Sequence, residues 1–216
     1  MDGFFDIFQL VALVVFLLFF IGRTVMMRWR EGINPITLAA GKAGFRRLAE
    51  AFLPVGLGAF VAAIALASFD VGLGSPLDEP VVDHVVARTA GAVLVAMGLL
   101  LFALALASFG ASWRVGIDEE HPGDLVTAGI FRFTRNPIFV FLDAYFVGAF
   151  LINGTLFFLL AALLGLTLIH YQILQEERFL EGRYGDPYRE YKRTAPRYLP
   201  LPFSTRGPGV RRPAGL

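Results

Sequence analysis

Four long apolar stretches constrain this chain more than anything else in it. Crossing a bilayer as a helix takes about 20 predominantly apolar residues. Gly3–Met27 and Phe52–Phe69 satisfy that with little polar interruption, and Ala87–Phe109 does so if Arg88 sits at the interface. The fourth stretch, Pro137–Leu174, is about twice the spanning length and carries Asn153-Gly154 near its middle. Asn-Gly favours a tight turn, so the stretch divides into a hairpin, Pro137–Ile152 and Thr155–Leu174. The expected fold is therefore all-α: an integral membrane helical bundle of about five transmembrane helices. Hydrophobic residues make up 56% of the chain, 22 of them phenylalanine, too apolar for a soluble domain of this length. A cleaved signal peptide is not expected, because Asp2 and Asp6 stand where a basic start belongs and no small-residue cleavage site follows.

Charge gives the expected orientation. Arg28, Arg30, Lys42, Arg46 and Arg47 lie between the first and second stretches, whereas the next connection carries Asp70, Asp78, Glu79 and Asp83. The third connection carries Arg114, Arg132 and Arg135, and a basic tail follows Leu174. Lys and Arg mark the cytoplasmic side. The N-terminus is thus expected outside and the C-terminus in the cytoplasm, as an odd number of spans requires. The net charge of +1 hides this asymmetry. A basic tail beside a membrane meets anionic lipid headgroups more readily than a polynucleotide, so membrane lipids are expected partners and nucleic acid is not.

The chain has no cysteine. Disulfides, thiolate catalysis and cysteine metal sites are excluded. His84, His121 and His170 fall in separate segments without an HExxH-type spacing, and no metal is expected. No glycine-rich phosphate fingerprint, Walker-type run or internal repeat is present.

The organisation reads in two parts with a tail. Residues 1–110 form three spans; their first loop holds Asn34-Pro35 and a patterned piece, Thr37–Phe52, suited to lying on the membrane as an amphipathic helix. Residues 111–203 carry the candidate chemistry: a polar loop with a Pro122-Gly123 turn, the hairpin and a cytoplasmic closing segment. Residues 204–216, rich in Gly, Pro and Arg, are expected to be disordered.

Polar groups gather at the feet of the hairpin. Arg135-Asn136-Pro137 leads into the fourth span; Pro at a first helical position and Arg as a snorkelling anchor are ordinary roles. Glu176-Glu177 follows the fifth span, where a carboxylate opposes the helix macrodipole. A solvated helix end is one reading; pairing with Arg135 or Arg132 near the acyl boundary is the other. An Arg and a carboxylate held at one depth would suit a ligand bearing amino and carboxylate groups. Asp143 lies six residues into the fourth span, about 9 Å along a helix, and intramembrane acids usually face protein or a wet cavity. His170, two turns before Glu177 on nearly the same face, reads equally as a buried, hydrogen-bonded histidine. Tyr184, Tyr188 and Tyr191 with Arg183, Arg189 and Lys192 form an interfacial segment, and Asp186-Pro187 begins a short helix with Asp186 as cap. Such a helix can lie on the membrane and roof a pocket at once.

Taken in order, several elements resemble the isoprenylcysteine carboxyl methyltransferase and phospholipid methyltransferase superfamily. They are Leu125-Val126-Thr127 with Gly129-Ile130-Phe131, then Arg135-Asn136-Pro137-Ile138-Phe139, the Asn153-Gly154 hairpin and Glu176-Glu177-Arg178-Phe179-Leu180. Tyr184-Gly185, Tyr188, Tyr191, Pro196 and Pro200 complete the set. The resemblance runs from Ser112 to Pro202. It implies a membrane enzyme that uses S-adenosylmethionine from the cytoplasmic side and takes a lipophilic substrate through the bilayer, an isoprenylcysteine-like carboxylate among the acceptors. Carried over, Leu125, Val126, Gly129, Phe131, Arg135, Asn136, Pro137, Phe139, Glu176 and Glu177 would line the cofactor pocket, with Tyr188 and Tyr191 from the closing segment. Arg135, Glu176 and Asp143 are the implied catalytic groups.

Two departures bear on the chemistry. Asn136 replaces the His commonest in the prenylcysteine enzymes, and Phe131 and Phe139 replace Tyr. Asn hydrogen-bonds but does not titrate near neutrality. A carboxylate acceptor needs no base; an amine or hydroxyl acceptor does, and Asp143, His170 or Glu176 would supply it. Two other readings stay open: an NADPH-dependent membrane reductase of the sterol-reductase type, for which the chain is short, and a non-catalytic membrane scaffold.

Overall fold

The computed structural model describes residues 2–30, 32, 44–110 and 124–199. Six α-helices account for most of them: α1 (Asp2–Arg30), α2 (Gly44–Ala67), α3 (Val85–Phe109), α4 (Pro137–Asn153), α5 (Leu156–Tyr184) and α6 (Asp186–Thr194). A 3-10 turn, Gly129–Arg132, precedes α4. Among the described residues the only β-type pairing is an isolated bridge between Pro80 and Thr155. The Asn34-Pro35 and Pro122-Gly123 turns, the first part of the Thr37–Phe52 piece, Pro200 and the 204–216 tail lie outside the described residues. The latter part of that piece, from Gly44, is continuous with α2.

Among the described residues three helices are long and apolar enough to cross a membrane: Gly3–Arg30, Val85–Phe109 and Leu156–Tyr184. The apolar parts of α2 and α4, Pro54–Ala67 and Pro137–Asn153, are shorter. At 1.5 Å per residue, α4 measures about 25 Å against a hydrocarbon core of about 30 Å. It stops short because Gly154 closes it with left-handed dihedrals (φ 67°), as the Asn-Gly pair foretold. Lipid, not water, is the solvent these helices suit. Ile7, Val11 and Leu18 of α1, Met97 and Leu100 of α3, and Leu163 and Leu164 of α5 all face outward.

Packing centres on α3 and α4. Gly91 and Gly148 meet at their crossing, where a Cβ on Gly91 would sit 2.6 Å from the Gly148 carbonyl oxygen and one on Gly148 would sit 2.8 Å from that of Gly91. With no hydrophobic drive between helices in lipid, such small-residue crossings provide the contact area. Around them Phe16, Phe102, Phe141 and Tyr145 form an aromatic core, with Phe102 and Phe141 stacked 4.7 Å apart. An apolar space of about 10 Å³ beside it, lined by Phe16, Phe60 and Phe141 among others, is close to the smallest that admits one water and has no polar wall to hold it.

At the end away from the candidate site, the loop between α2 and α3 clamps the hairpin turn. Val81 and Val82 donate to the Gly154 carbonyl, and Leu156 and Phe157 donate to Glu79 and Leu77. Asn153 exchanges two hydrogen bonds with the buried Gln9 of α1, at 2.9 and 3.2 Å. At the opposite end Arg23 of α1 donates to the carbonyl of Gly110, the residue that closes α3. The hairpin turn is thereby fixed to α1 and the α2–α3 loop at one end, and α1 to the end of α3 at the other.

Replacing Gly91 by Val should drive α3 from α4. Overpacking of a close-packed contact costs about 1–3 kcal/mol. The protein in detergent should melt at a lower temperature than the parent; an unchanged midpoint would contradict the close crossing.

Candidate functional site

The site forms where the chain returns across the feet of α4 and α5. After the 3-10 turn, Thr134 is fully buried: its hydroxyl donates to the Arg197 carbonyl at 3.2 Å and accepts from the Asn136 amide at 3.1 Å. Arg135 follows. Its backbone amide donates to Pro196, and one guanidinium nitrogen donates to the Lys192 and Ala195 carbonyls. Its other terminal nitrogen pairs with Glu177 at 2.8 Å. Asn136 does not cap α4 with its side chain, which donates to Arg197's carbonyl at 3.0 Å and approaches Glu177 at 3.5 Å. Pro137, fully buried, opens α4 as expected.

Glu177 is the hub. It is 4% exposed, and Arg197 grips it with both faces of its fork, Nε to Oε1 at 3.1 Å and Nη2 to Oε2 at 2.8 Å. One carboxylate thus meets two guanidiniums. Bidentate, charge-assisted pairs are the strong ones, and a carboxylate buried this deeply survives only with such compensation. Glu177 in turn holds Arg197 firmly in its charged form. Of the two readings open for Glu177, a solvated helix end or a pair with Arg135 or Arg132, the structure has the pair with Arg135.

A second cluster lies beside this ion triad. Phe131, Tyr188, Tyr191 and Ala195 are buried together, with Leu125, Val126, Ile130, Leu180 and Tyr184 packed on them. Tyr191 donates to the Phe131 carbonyl at 2.7 Å. Burial pushes the hydroxyls of Tyr188 and Tyr191 above the ordinary tyrosine range, and the Glu177 carboxylate adds to the effect at Tyr188. Both therefore stay neutral. α6 buries these two rings and exposes Asp186, Pro187 and Arg189. Gly185, not Asp186, caps the helix; the Asp186 carboxylate pairs instead with Arg189 at 2.7 Å. Lys192 anchors the same helix to Glu181 of α5 at 2.8 Å.

Gly129 sits at the mouth of this cluster with φ 63°, exposed, against the Ser108 hydroxyl at the end of α3. A Cβ there would collide with Ser108 as well as strain the backbone. Glu176 is half-buried and near enough to Tyr188 to act on its hydroxyl. Phe139 is half-buried on α4, outside the aromatic cluster. Asp143, also half-buried on α4, is further along that helix, and its Oδ1 is enclosed without a hydrogen-bond partner among the described residues. Of the residues expected from the sequence, Leu125, Val126, Phe131, Arg135, Asn136, Glu177, Tyr188 and Tyr191 come together. Thr134, Arg197 and Tyr198 join them unforeseen; in the sequence Arg197 is one more cation of a basic tail. Among the described residues no group of His, Asp and Glu is placed to hold a metal.

Residues 86–187 match the model of the phospholipid methyltransferase family. The resemblance read from the sequence is borne out. The family's region begins a residue into α3, earlier than Ser112, and ends at the start of α6. It therefore takes in the α3–α4 packing, the hairpin, Arg135 and the Glu176-Glu177 pair, and leaves out Arg197. The family is one of membrane methyltransferases, and the apolar helices place this chain in the membrane. No curated protein matches the chain.

Removing one partner from a buried charge pair costs about 3–5 kcal/mol, much of it from the charge left behind. Glu177→Gln would strand two guanidiniums. It should lower the melting temperature in detergent and open the Lys192–Arg197 segment to trypsin; Arg193→Gln, at an exposed position, should do neither. Equal protease resistance in both variants would refute the hub.

Proposed function

We propose that the chain is a methyltransferase that moves a methyl group from S-adenosylmethionine to a lipid or lipophilic small molecule. The donor binds from the cytoplasmic side and the acceptor reaches the site through the bilayer. On this reading α2 and α4 also span, giving five crossings, with the N-terminus outside and the C-terminus in the cytoplasm. Residues 111–203 then form the catalytic region on a three-span base, and Leu125, Val126, Gly129, Phe131, Arg135–Pro137, Phe139, Glu176, Glu177, Tyr188 and Tyr191 surround the donor.

The observation that carries the reading is a surplus of donors around one carboxylate. Arg135 and Arg197 together carry one positive charge more than Glu177 neutralises. The Arg135 Nε is buried with no hydrogen-bond partner among the described residues. Buried donors are rarely left unmatched, and an amino-acid carboxylate would meet this one. Glu176, close to the neutral Tyr188, is suited to an ammonium group. Leu125, Val126 and the tyrosine rings offer the apolar flank an adenine needs.

When bound, S-adenosylmethionine supplies a methyl already activated on a sulfonium sulfur. The protein's part is to orient and to exclude water. Arg135 holds the closing segment through the Lys192 and Ala195 carbonyls, so the residues that roof the site are tied to those at its floor. Tyr188 and Tyr191, neutral and buried, keep the roof dry. Fixing donor and acceptor in line supplies much of the rate in such a displacement. A scaffold has no use for an unmatched buried donor.

Calorimetry on the detergent-solubilised protein should detect S-adenosylmethionine and not NADPH. Glu176→Gln, which leaves the Glu177 hub in place, should weaken donor binding by about 10- to 150-fold, the equivalent of about 1.5–3 kcal/mol. Tight NADPH binding alone would hand the case to a reductase, and unchanged donor affinity would remove Glu176 from the site. A reporter fused after Leu216 should be active only in a cytoplasmic format; activity outside would invert the orientation.

A further inference from the structure

The enclosed Asp143 oxygen belongs to a small polar group that folding does not account for. Tyr198, next to Arg197, returns along the hairpin and stacks on His170 of α5, with ring centroids 6.2 Å apart and planes within 16°. Its hydroxyl lies 2.6 Å from His170 Nδ1. The Tyr198 hydroxyl also feels the charge of Asp143 on α4. His170 is exposed on a helix whose neighbouring positions Leu163, Leu164 and Leu168 face outward as apolar side chains. An imidazole on such a surface is costly unless something uses it.

Their place along the helix is informative. His170 precedes Glu177 by two turns, about 10 Å on the bilayer side of the ion triad, while Arg197 and Tyr198 are consecutive and so join the two groups. A donor held at Glu177 and an acceptor lying in the membrane would meet between them. The bond to Nδ1 also leaves Nε2 as the free ring nitrogen. The proposal requires the tautomer in which Nδ1–H donates to the tyrosine oxygen, because Nε2 then carries the lone pair a proton acceptor needs.

Resting on the methyltransferase reading above, we propose that His170 removes the proton of the methyl acceptor, with Tyr198 as its positioning residue. The acceptor is accordingly an amine, thiol or hydroxyl on a lipophilic body and not a carboxylate. In the step, the acceptor heteroatom forms a bond to the methyl carbon as the carbon–sulfur bond breaks. The sulfonium sulfur keeps that electron pair and leaves as the neutral thioether of S-adenosylhomocysteine. The acceptor's proton passes to Nε2 and is later lost to water. A carboxylate acceptor has no proton to give.

The test uses the full chain in phosphatidylcholine vesicles with labelled S-adenosylmethionine and four acceptors of one chain length: dodecylamine, dodecanethiol, dodecanol and dodecanoate. The parent protein should methylate one or more of the first three and leave dodecanoate alone. His170→Ala should lose about 100-fold or more in turnover, the usual scale for a general base, with donor affinity and melting temperature unchanged. Added imidazole should restore part of the rate, which a merely structural role would not allow. Tyr198→Phe, which keeps the ring and removes the hydroxyl, should lower turnover without changing the KM for the acceptor. Dodecanoate as the preferred acceptor, or full turnover in His170→Ala, would overturn the proposal while leaving the donor site standing. No donor binding by the parent would bring down the methyltransferase reading itself.

Discussion

A buried carboxylate shared by two arginines organises the functional end of this protein. Glu177 projects from α5, Arg135 from the start of α4 and Arg197 from the closing segment. That junction joins all three pieces at one depth, and the Thr134 and Asn136 contacts to the Arg197 carbonyl and the Lys192–Glu181 pair add to it. The cost of burying so much charge is offset by a dense set of hydrogen bonds to the Lys192, Ala195 and Arg197 carbonyls. The arrangement is worth more for position than for stability. It fixes the roof over the floor and leaves one cationic equivalent over, which is the property a ligand carboxylate would use.

The membrane part explains why the junction can be rigid. Gly91 and Gly148 bring α3 and α4 into backbone contact, the Gln9–Asn153 exchange holds α1 to the hairpin turn, and Arg23 ties α1 to the end of α3. Helices packed this closely have few ways to shift, so the feet of the hairpin present a fixed base. The polar contacts cluster at the two ends of the bundle while Phe16, Phe102 and Phe141 fill its middle, the distribution expected when the surrounding solvent is hydrocarbon at mid-depth and water at the margins.

Much of this was legible in the residues. The helices of the hairpin follow the apolar runs to within a residue at the turn, because Asn153-Gly154 has few other uses inside so apolar a stretch. The site's outline was legible too: Arg135, Asn136, Glu177, Tyr188 and Tyr191 converge. Their partners were not. Arg197 and Thr134 carry no local signature, since their roles arise from a long-range return of the chain, and an arginine that pairs with a buried glutamate looks in sequence like any other cation of a basic tail. The same holds for Tyr198, whose contact with His170 depends on where the closing segment lies. Span length was read less well, because α4 runs from a proline to a left-handed glycine and ends before it reaches the full hydrocarbon thickness.

The account stands or falls on transfer of a methyl group into the membrane. Membranes containing this protein, incubated with methyl-labelled S-adenosylmethionine and then extracted into organic solvent, should yield label in the lipid phase that matching membranes without the protein lack. Equal label in the two extracts, from protein that is folded and binds the donor, would contradict it.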